Sequence, residues 1–497
     1  MADNCNDLGR KLPVWTKLGY SFGSLASAMM ANGLGFYVLM FYTDIVGLNA
    51  ALVGVAQSVG RFWDAVTDPA MGHISDRTRS RFGRRRPYII LGAPLLAVAF
   101  VLPWCAPLGR SVQITFAYVV FVNVFITTMQ TVVGIPYGAL GAELTMDYHE
   151  RNSVMAYGQG ASMIGYVIGS GLIGFASVAG GWLDPELHVG GLRGAVEAFV
   201  SATSYKCMNG GGFRVAALVL APLVVVCYLV ATFATRENPS FQRRSSTPAM
   251  RSLISPLKNR PFQIYMVMFL IETTVGQIGG FMLPFIVIHW LRKPGYLMPA
   301  FVALTCSTLA GLWLWRLLGQ RLEKKDCFIA SLAAGFVVSP LFFVIVSPER
   351  PFGFLIWATL GGLVIGGRLI YAPSMMADII DTDELECGLR REGAFIGINN
   401  FIMKCAGSLG ALWVGPGLAL AGYDGLAAVQ SDRTLLIMRL MYVCPGILIN
   451  IVLMLIISRF PLTSKVMAEV RRSINARREL QAEGHHVVDE KRGILPG

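Results

Sequence analysis

Residues 60–87 contain the run Gly60-Arg61-Phe62-Trp63-Asp64-Ala65-Val66-Thr67-Asp68-Pro69-Ala70-Met71-Gly72 and then Ser75-Asp76-Arg77-Thr78-Arg79-Ser80-Arg81-Phe82-Gly83-Arg84-Arg85-Arg86-Pro87. The first part continues an apolar stretch of helical length, yet it holds Arg61, Asp64 and Asp68. The second is crowded with arginine, and another apolar stretch follows at once. Arginine gathered at the end of an apolar helix marks the cytoplasmic side of a membrane span. An ionised side chain at the bilayer centre costs about 2.5–3.5 kcal/mol even on the milder insertion scales. Three of them on one helix therefore need a reason. Asp64 and Asp68 are one turn apart, ~6 Å along the axis, Arg61 shares their face, and Thr67 adds a hydroxyl. Two stacked carboxylates repel unless a proton, a hard monovalent cation or a basic side chain lies between them. The competing reading is a buried ion-pair network that only locks helices together. Apolar packing often replaces such a network at no loss of stability, which favours a cation site.

The rest of the chain has the same character. Its 497 residues are 54% hydrophobic and 14% charged, against roughly 25% charged in soluble domains, and mean hydropathy is +0.56. Apolar runs long enough to cross a bilayer predict twelve helices at about 17–43, 50–75, 88–107, 113–142, 153–179, 213–235, 262–290, 298–318, 327–346, 353–378, 392–421 and 435–459. Arg292-Lys293-Pro294-Gly295 separates the seventh from the eighth. This pattern excludes a soluble enzyme, a disordered chain and a disulfide-stapled secreted domain. Nine cysteines are scattered without a CxxC pair, most of them inside apolar runs, where cysteine acts as a small hydrophobe. No signal-peptide core precedes the first span, which is expected to remain in the mature protein.

Basic residues alternate in density from loop to loop. Arginine fills the 2–3 loop; Arg236, Arg243, Arg244, Arg251, Lys258 and Arg260 fill the 6–7 connection; Lys465, Arg471, Arg472, Arg477 and Arg478 follow the last span. The opposite loops hold only Arg110, Arg193, Lys206, Arg292, Lys293, Arg350 and Arg433. Both termini are thus expected in the cytoplasm, in a multi-pass protein of the cytoplasmic (inner) membrane. The net charge of +12 is mostly topological, so no nucleic-acid partner is expected. The organisation reads as an N-terminal tail (1–16), a six-helix bundle (17–235), a cytoplasmic linker (236–261), a second bundle (262–460) and a C-terminal tail (461–497). A short repeat supports two halves: Gly72-His73-Ile74-Ser75-Asp76-Arg77 and Gly319-Gln320-Arg321-Leu322-Glu323-Lys324-Lys325 occupy matching turns. Two such halves around a mid-membrane site are a common transporter plan. The long connection 180–212 reads as a tolerated insertion more than a lid.

The second half carries Glu272, Arg368 and Lys404 inside its spans, so the six intramembrane charges sum to zero. Glu272 and Arg368 either pair or face a cavity where a substrate binds; Gln277 and Asn400 are further polar candidates for substrate contact. Asp378, Asp381, Asp383 and Glu384 lie near Arg390 and Arg391 at a predicted helix end, either as a gate or as a solvated terminus. Asp76 and Arg84 are the matching gate candidates in the first half. Tyr37, Tyr42, Trp63, Tyr137, Trp313 and Tyr371 are aromatic faces on which a sugar ring would stack, although membrane aromatics more often pack or anchor.

The helix 2 block resembles the signature of the glycoside–pentoside–hexuronide:cation symporters, the melibiose-permease branch of the major facilitator superfamily. The likeness extends through Tyr42-Thr43-Asp44, Ile135-Pro136-Tyr137, Ala377-Asp378-Ile379-Ile380-Asp381 and Arg390-Arg391-Glu392-Gly393 to Lys404, and covers nearly all twelve helices. It implies the all-α major facilitator fold of two six-helix halves. It also implies cation ligands at Asp64, Asp68 and Thr131, and a lysine near the cation site at Lys404. Thr67 stands where the sodium-coupled member has asparagine, which leaves sodium and proton both open as the coupling ion. The family's sugar-binding carboxylates on helices 1 and 4 correspond to Ala28 and Gly134, which argues against a galactoside held in the melibiose manner. Animal relatives of this branch carry lysophospholipids, so an amphipathic substrate is also allowed.

Two other classes fit the sequence less well. Gly60-x3-Asp64-x3-Asp68 looks like the tail of the membrane CDP-alcohol phosphotransferase motif, but the upstream acidic pair and Ala-Arg are missing. The Gly19-Tyr20-Ser21-Phe22-Gly23 string opens a membrane helix and does not join a strand to a helix, and no HExxH or P-loop occurs. A transporter-like sensor would be expected to lose the carboxylates, which are present. The expectation is therefore a monomeric symporter, with a small-molecule substrate, a coupling cation and the lipid bilayer as partners. Its substrate is a glycoside, sugar or sugar acid, or alternatively a lysolipid-like amphiphile. No enzymatic cofactor or structural metal site is expected.

Overall fold

The computed structural model describes residues 12–80, 82–145, 148–172, 175–176, 210–235, 255–387, 392–427 and 429–482. Among these residues are thirteen α-helices and no β-strand. They are α1 (Val14–Met40), α2 (Ala50–Arg77), α3 (Arg86–Val101), α4 (Val112–Glu143), α5 (Tyr148–Ser170), α6 (Gly210–Ala234), α7 (Arg260–Phe285), α8 (Leu297–Leu318), α9 (Lys324–Ile345), α10 (Phe352–Cys387), α11 (Glu392–Leu420), α12 (Asp432–Ser458) and α13 (Ser464–Ala482). Ten are long and apolar enough to cross a membrane; α2, α5 and α13 are not among them. In α2 the shortfall comes from the charges that mark it. Large apolar side chains such as Leu91, Leu218, Phe233 and Leu420 point outward, where lipid tails would solvate them.

Sequence boundaries and structure differ in three places. α10 runs to Cys387, beyond the expected end at 378, and its Asp378 and Asp383 are buried. Of the acidic cluster, Asp378 and Asp383 are therefore inside the bundle, while Asp381 and Glu384 are half-buried. The C-terminal region contains α13, whose Met467, Val470 and Ile474 recur at helical spacing and are buried, with the helix packed on α10. The break between the seventh and eighth helices begins in a π-helical turn, Ile286–Trp290, and passes through a 3₁₀ turn at Pro294–Tyr296. The same π turn, Phe41–Ile45, ends α1. The 180–212 connection lies outside the described residues, save 210–212, which open α6.

Contacts divide the chain into two compact units. The first joins the residues up to Ser246 to Gln277–Val302 and Gly407–Tyr442. Within it α1 packs on α5 and α6, α2 on α4, and α3 on α4 and α6. α2 also crosses α11 closely. A Cβ on Gly54 would stand 2.7 Å from the Ala411 carbonyl and 3.1 Å from Gly415 Cα. Small residues of this kind let membrane helices approach backbone to backbone. The second unit comprises Thr247–Gly276, Ala303–Ala406 and the chain from Val443. Its core gathers Phe262, Tyr265, Trp315, Phe328, Tyr371 and Phe395 with the apolar stripe of α13.

Candidate cation-binding site

Local sequence sets up the carboxylates. Asn49 caps α2 by accepting the Ala51 N–H at 2.9 Å, a cap that fixes where the helix starts. Asp64 and Asp68 then fall on one face. Pro69 has no N–H, so the Ala65 carbonyl, one residue from Asp64, loses its helical donor. α4 brings Thr131 against the pair. Its hydroxyl donates to Asp64 Oδ1 at 2.7 Å and to Asp68 Oδ1 at 3.0 Å, and Thr67 Oγ1 is 3.3 Å from Thr131 Oγ1. Thr131 is 3% exposed, while both carboxylates are half-buried. One hydroxyl has one proton to share, so it bridges the carboxylates without neutralising them. Two carboxylates and two hydroxyls form a hard-oxygen donor set that suits an alkali cation. A proton shared by the carboxylates satisfies the same electrostatics.

Neighbouring residues hold this arrangement in place. Trp63 Nε1 donates to Thr128 Oγ1 at 2.9 Å, tying α2 to α4. The Arg61 guanidinium lies over the Phe281 ring, 5.5 Å from its centroid, a cation–π contact. It also fills the space left by the missing side chain of Gly407, where a Cβ would collide with Nη1. Lys404, three residues before Gly407 on α11, belongs to the second unit and is half-buried.

In the second unit Arg368 and Glu272 come together, with Nε 3.9 Å from Oε1. That is an ion pair without a hydrogen bond, and Arg368 Nε has no hydrogen-bond partner. Arg368 Nη2 instead donates to Asn450 Oδ1 at 2.7 Å. Gln277 belongs to the first unit, where its Cβ packs against Gly410. Asn400 is exposed on α11, whereas the buried Oδ1 of its neighbour Asn399 has no partner. The buried Ala28 carries no polar group, and a Cβ on Gly134 would meet open space.

The gate candidates find partners that the sequence did not suggest. Asp76 Oδ1 accepts from Arg85 Nη2 at 3.2 Å, one residue along from Arg84. Lys324 Nζ donates to Asp378 Oδ2 at 2.6 Å, Asp381 is half-buried on α10, and Arg390 lies outside the described residues. Tyr37, Tyr42, Tyr137 and Tyr371 are buried with hydroxyls donating to backbone carbonyls. They pack, and do not offer a free stacking face. Two constellations were missed altogether. Lys17 Nζ pairs with Glu150 at 2.7 Å. Asp44, His289 and Tyr423 converge although 245 and 379 residues separate them. The signals in sequence were ionisable residues at the ends of apolar runs and, for Asp44, its place in the Tyr42-Thr43-Asp44 likeness.

Known proteins resemble this chain along most of its length. Inner membrane symporter YicJ of Escherichia coli (strain K12) is 27% identical over 443 residues, 88% of this chain and 89% of that one. Sodium-dependent lysophosphatidylcholine symporter 1-B of Danio rerio is 24% identical over 484 residues, 94% of this chain and 91% of that one. The fold matches the crystal structure of a D-xylose-proton symporter with TM-score 0.61 at 12% identity, covering 88% of this chain and 97% of the other. The family model described as MFS/sugar transport protein matches residues 19–464. The chain belongs to that family, as a multi-pass membrane transporter and not an enzyme.

Proposed function

We propose that the protein is a cation-coupled symporter of the cytoplasmic (inner) membrane, importing a small organic solute, namely a glycoside, sugar or sugar acid. The observation that carries this reading is the buried Thr131 hydroxyl shared by Asp64 and Asp68. A site of oxygens that repel one another when empty binds a sodium ion or a proton and releases it when hydrated. In this reading α1–α12 all span the bilayer, both termini are cytoplasmic, and residues 236–261 link the halves 17–235 and 262–460. The polar residues that lower the hydropathy of α2 face protein or water, the usual fate of intramembrane charge.

In the proposed cycle, cation binding neutralises Asp64 and Asp68, with Thr67 and Thr131 as further ligands and Arg61 and Lys404 as the adjoining positive charges. Substrate then binds at Glu272, Gln277, Arg368 and Asn400, and the halves rock about the site. Asp76, Arg84, Asp378, Asp381 and Arg390 belong to the cytoplasmic gate, with Arg85 and Lys324 as the partners that close it. A second reading, a lysolipid-like substrate, is favoured by the apolar positions 28 and 134 and by the lysophosphatidylcholine symporter among the relatives.

Uptake into inside-negative, pH-clamped proteoliposomes tests both readings, with glycosides, hexuronates and lysolipids offered with and without sodium. Accumulation driven by a cation gradient and abolished in Asp64→Asn/Asp68→Asn is expected. Equal accumulation in the double variant would make the carboxylates structural and end the coupling proposal.

A further inference from the structure

We propose that Asp44, His289 and Tyr423 form a latch that holds the outer end of the transporter closed. The three come from separate segments within the first compact unit: the π turn ending α1, the π turn ending α7, and the chain just past α11. His289 Nε2 is 2.8 Å from Asp44 Oδ2. Tyr423 Oη donates to Asp44 Oδ1 at 2.6 Å and lies 2.7 Å from His289 Nε2. Thr43 Oγ1 gives Asp44 Oδ1 another donor at 2.7 Å. The side chains of His289 and Asp44 are 7% and 2% exposed. Phe285 packs edge-on against Tyr423, and Arg439 covers the Trp290 ring beside His289.

This cluster joins the first half of the sequence to the second, at the helix ends opposite the arginine-rich loop. Further contacts between the two halves of the sequence lie in the same unit: Phe36 meets Phe301 with centroids 4.8 Å apart, Ser58 Oγ donates to the Ser408 carbonyl at 3.1 Å, and Gly54 lies against α11. A buried carboxylate is tolerable only with its donors in place, and these donors come from two other segments and from the preceding residue. The cluster therefore has two good states: complete and dry, or apart and hydrated. Partly opened, it strands a charge in an apolar setting. That is the bistability a gate requires. The paired π turns serve it, because the extra residue in the turn re-aims the last side chains of α1 and α7. Asp44 and His289 hold equivalent places in the two halves, so the latch sits astride the pseudo-symmetric contact.

The inference rests on the proposed topology for its word "outer", and its test needs no transport. Ala411 is fully buried at the α2–α11 crossing. In a chain with its native cysteines replaced, Ala411→Cys would be labelled with a membrane-impermeant maleimide in right-side-out vesicles. Tyr423→Phe, which keeps the ring packed on Phe285, and His289→Gln are each expected to speed labelling about tenfold, the population shift for losing one charge-assisted hydrogen bond. Combined, they should add little beyond the larger single effect, since both break one cluster. Unchanged labelling in both variants, or effects that multiply, would overturn the latch. So would labelling only from the cytoplasmic face. Hydrogen exchange of residues 41–48 and 286–293 gives an independent reading: it should quicken in Tyr423→Phe while residues 60–72 stay unchanged, and a uniform or absent change counts against the proposal. A wild-type chain that fails to accumulate any solute while these variants still speed labelling would sink the symport reading and leave the latch standing.

Discussion

Thr131 contributes one hydroxyl, yet it is the atom on which the two carboxylates of α2 agree. A hydrogen bond to a charged group is worth about 1.5–3 kcal/mol, and valine matches threonine in shape without the donor. Thr131→Val is therefore expected to weaken the apparent cation affinity by about 10- to 100-fold, and Thr131→Ser should restore most of it. The cation dependence of uptake measures both. Arg61 depends on an absence: Gly407 leaves room for its guanidinium. Gly407→Ala should push Arg61 off Phe281 and lower the maximal uptake rate. Gly410→Ala on the same helix presses instead on Gln277 and Ile278 of α7, so it should leave the cation dependence unchanged. The carboxylates were legible in the sequence because an ionised residue in an apolar run is conspicuous. Thr131 was not, since a threonine in α4 looks like any other until the fold brings it 67 residues back to Asp64. Only the family resemblance pointed to it.

Among the elements, α2 and α13 show how far pattern reading reaches. The run from 50 to 75 was expected as a helix and is one, and its low hydropathy records its cargo of charge. α13 was expected only as part of a tail. Its apolar residues at 467, 470 and 474 keep a helical stripe, but Lys465, Arg471, Arg472, Arg477 and Arg478 dominate the composition around them. Burial under α10 is a tertiary fact that the stripe alone did not announce. Met467 is 4% exposed in that contact. Met467→Ala should cost about 2–5 kcal/mol, the usual penalty for truncating a buried methionine, and lower the thermal unfolding midpoint in detergent. An equal midpoint would mean that α13 packs too loosely to support the bundle. The end of α10 teaches the converse: the acidic residues at 378–384 fit a gate or a solvated terminus equally in sequence, whereas in the fold Asp378 is buried beneath the half-exposed Lys324 of α9. No sequence period reveals a partner 54 residues away.

At the scale of the whole molecule, charge and hydropathy predict the all-helical membrane fold, because a bilayer leaves helices and closed barrels as the only backbones that satisfy themselves. What the predicted halves did not convey is that the first compact unit reaches into both, taking in the ends of α7 and α11. Composition cannot encode that, since the contacts are made by glycines and by three polar residues hundreds of positions apart. Transport couples these distant parts, and coupling has a quantitative signature. If the cation at Asp64 and Asp68 raises substrate affinity by some factor, substrate must raise cation affinity by the same factor. Equilibrium binding on the purified protein, titrating each ligand with and without the other, is expected to give two equal factors of about 5–150, the usual range for coupled sites. In Asp64→Asn/Asp68→Asn the factor should fall to one while substrate still binds with the cation-free affinity of the wild type. Unequal factors would show that one ligand binds at a place outside this cycle. A double variant that loses substrate binding altogether would put the carboxylates in the substrate site itself, and the proposed assignment of the cation to Asp64 and Asp68 and of the solute to Glu272, Gln277, Arg368 and Asn400 would have to be given up.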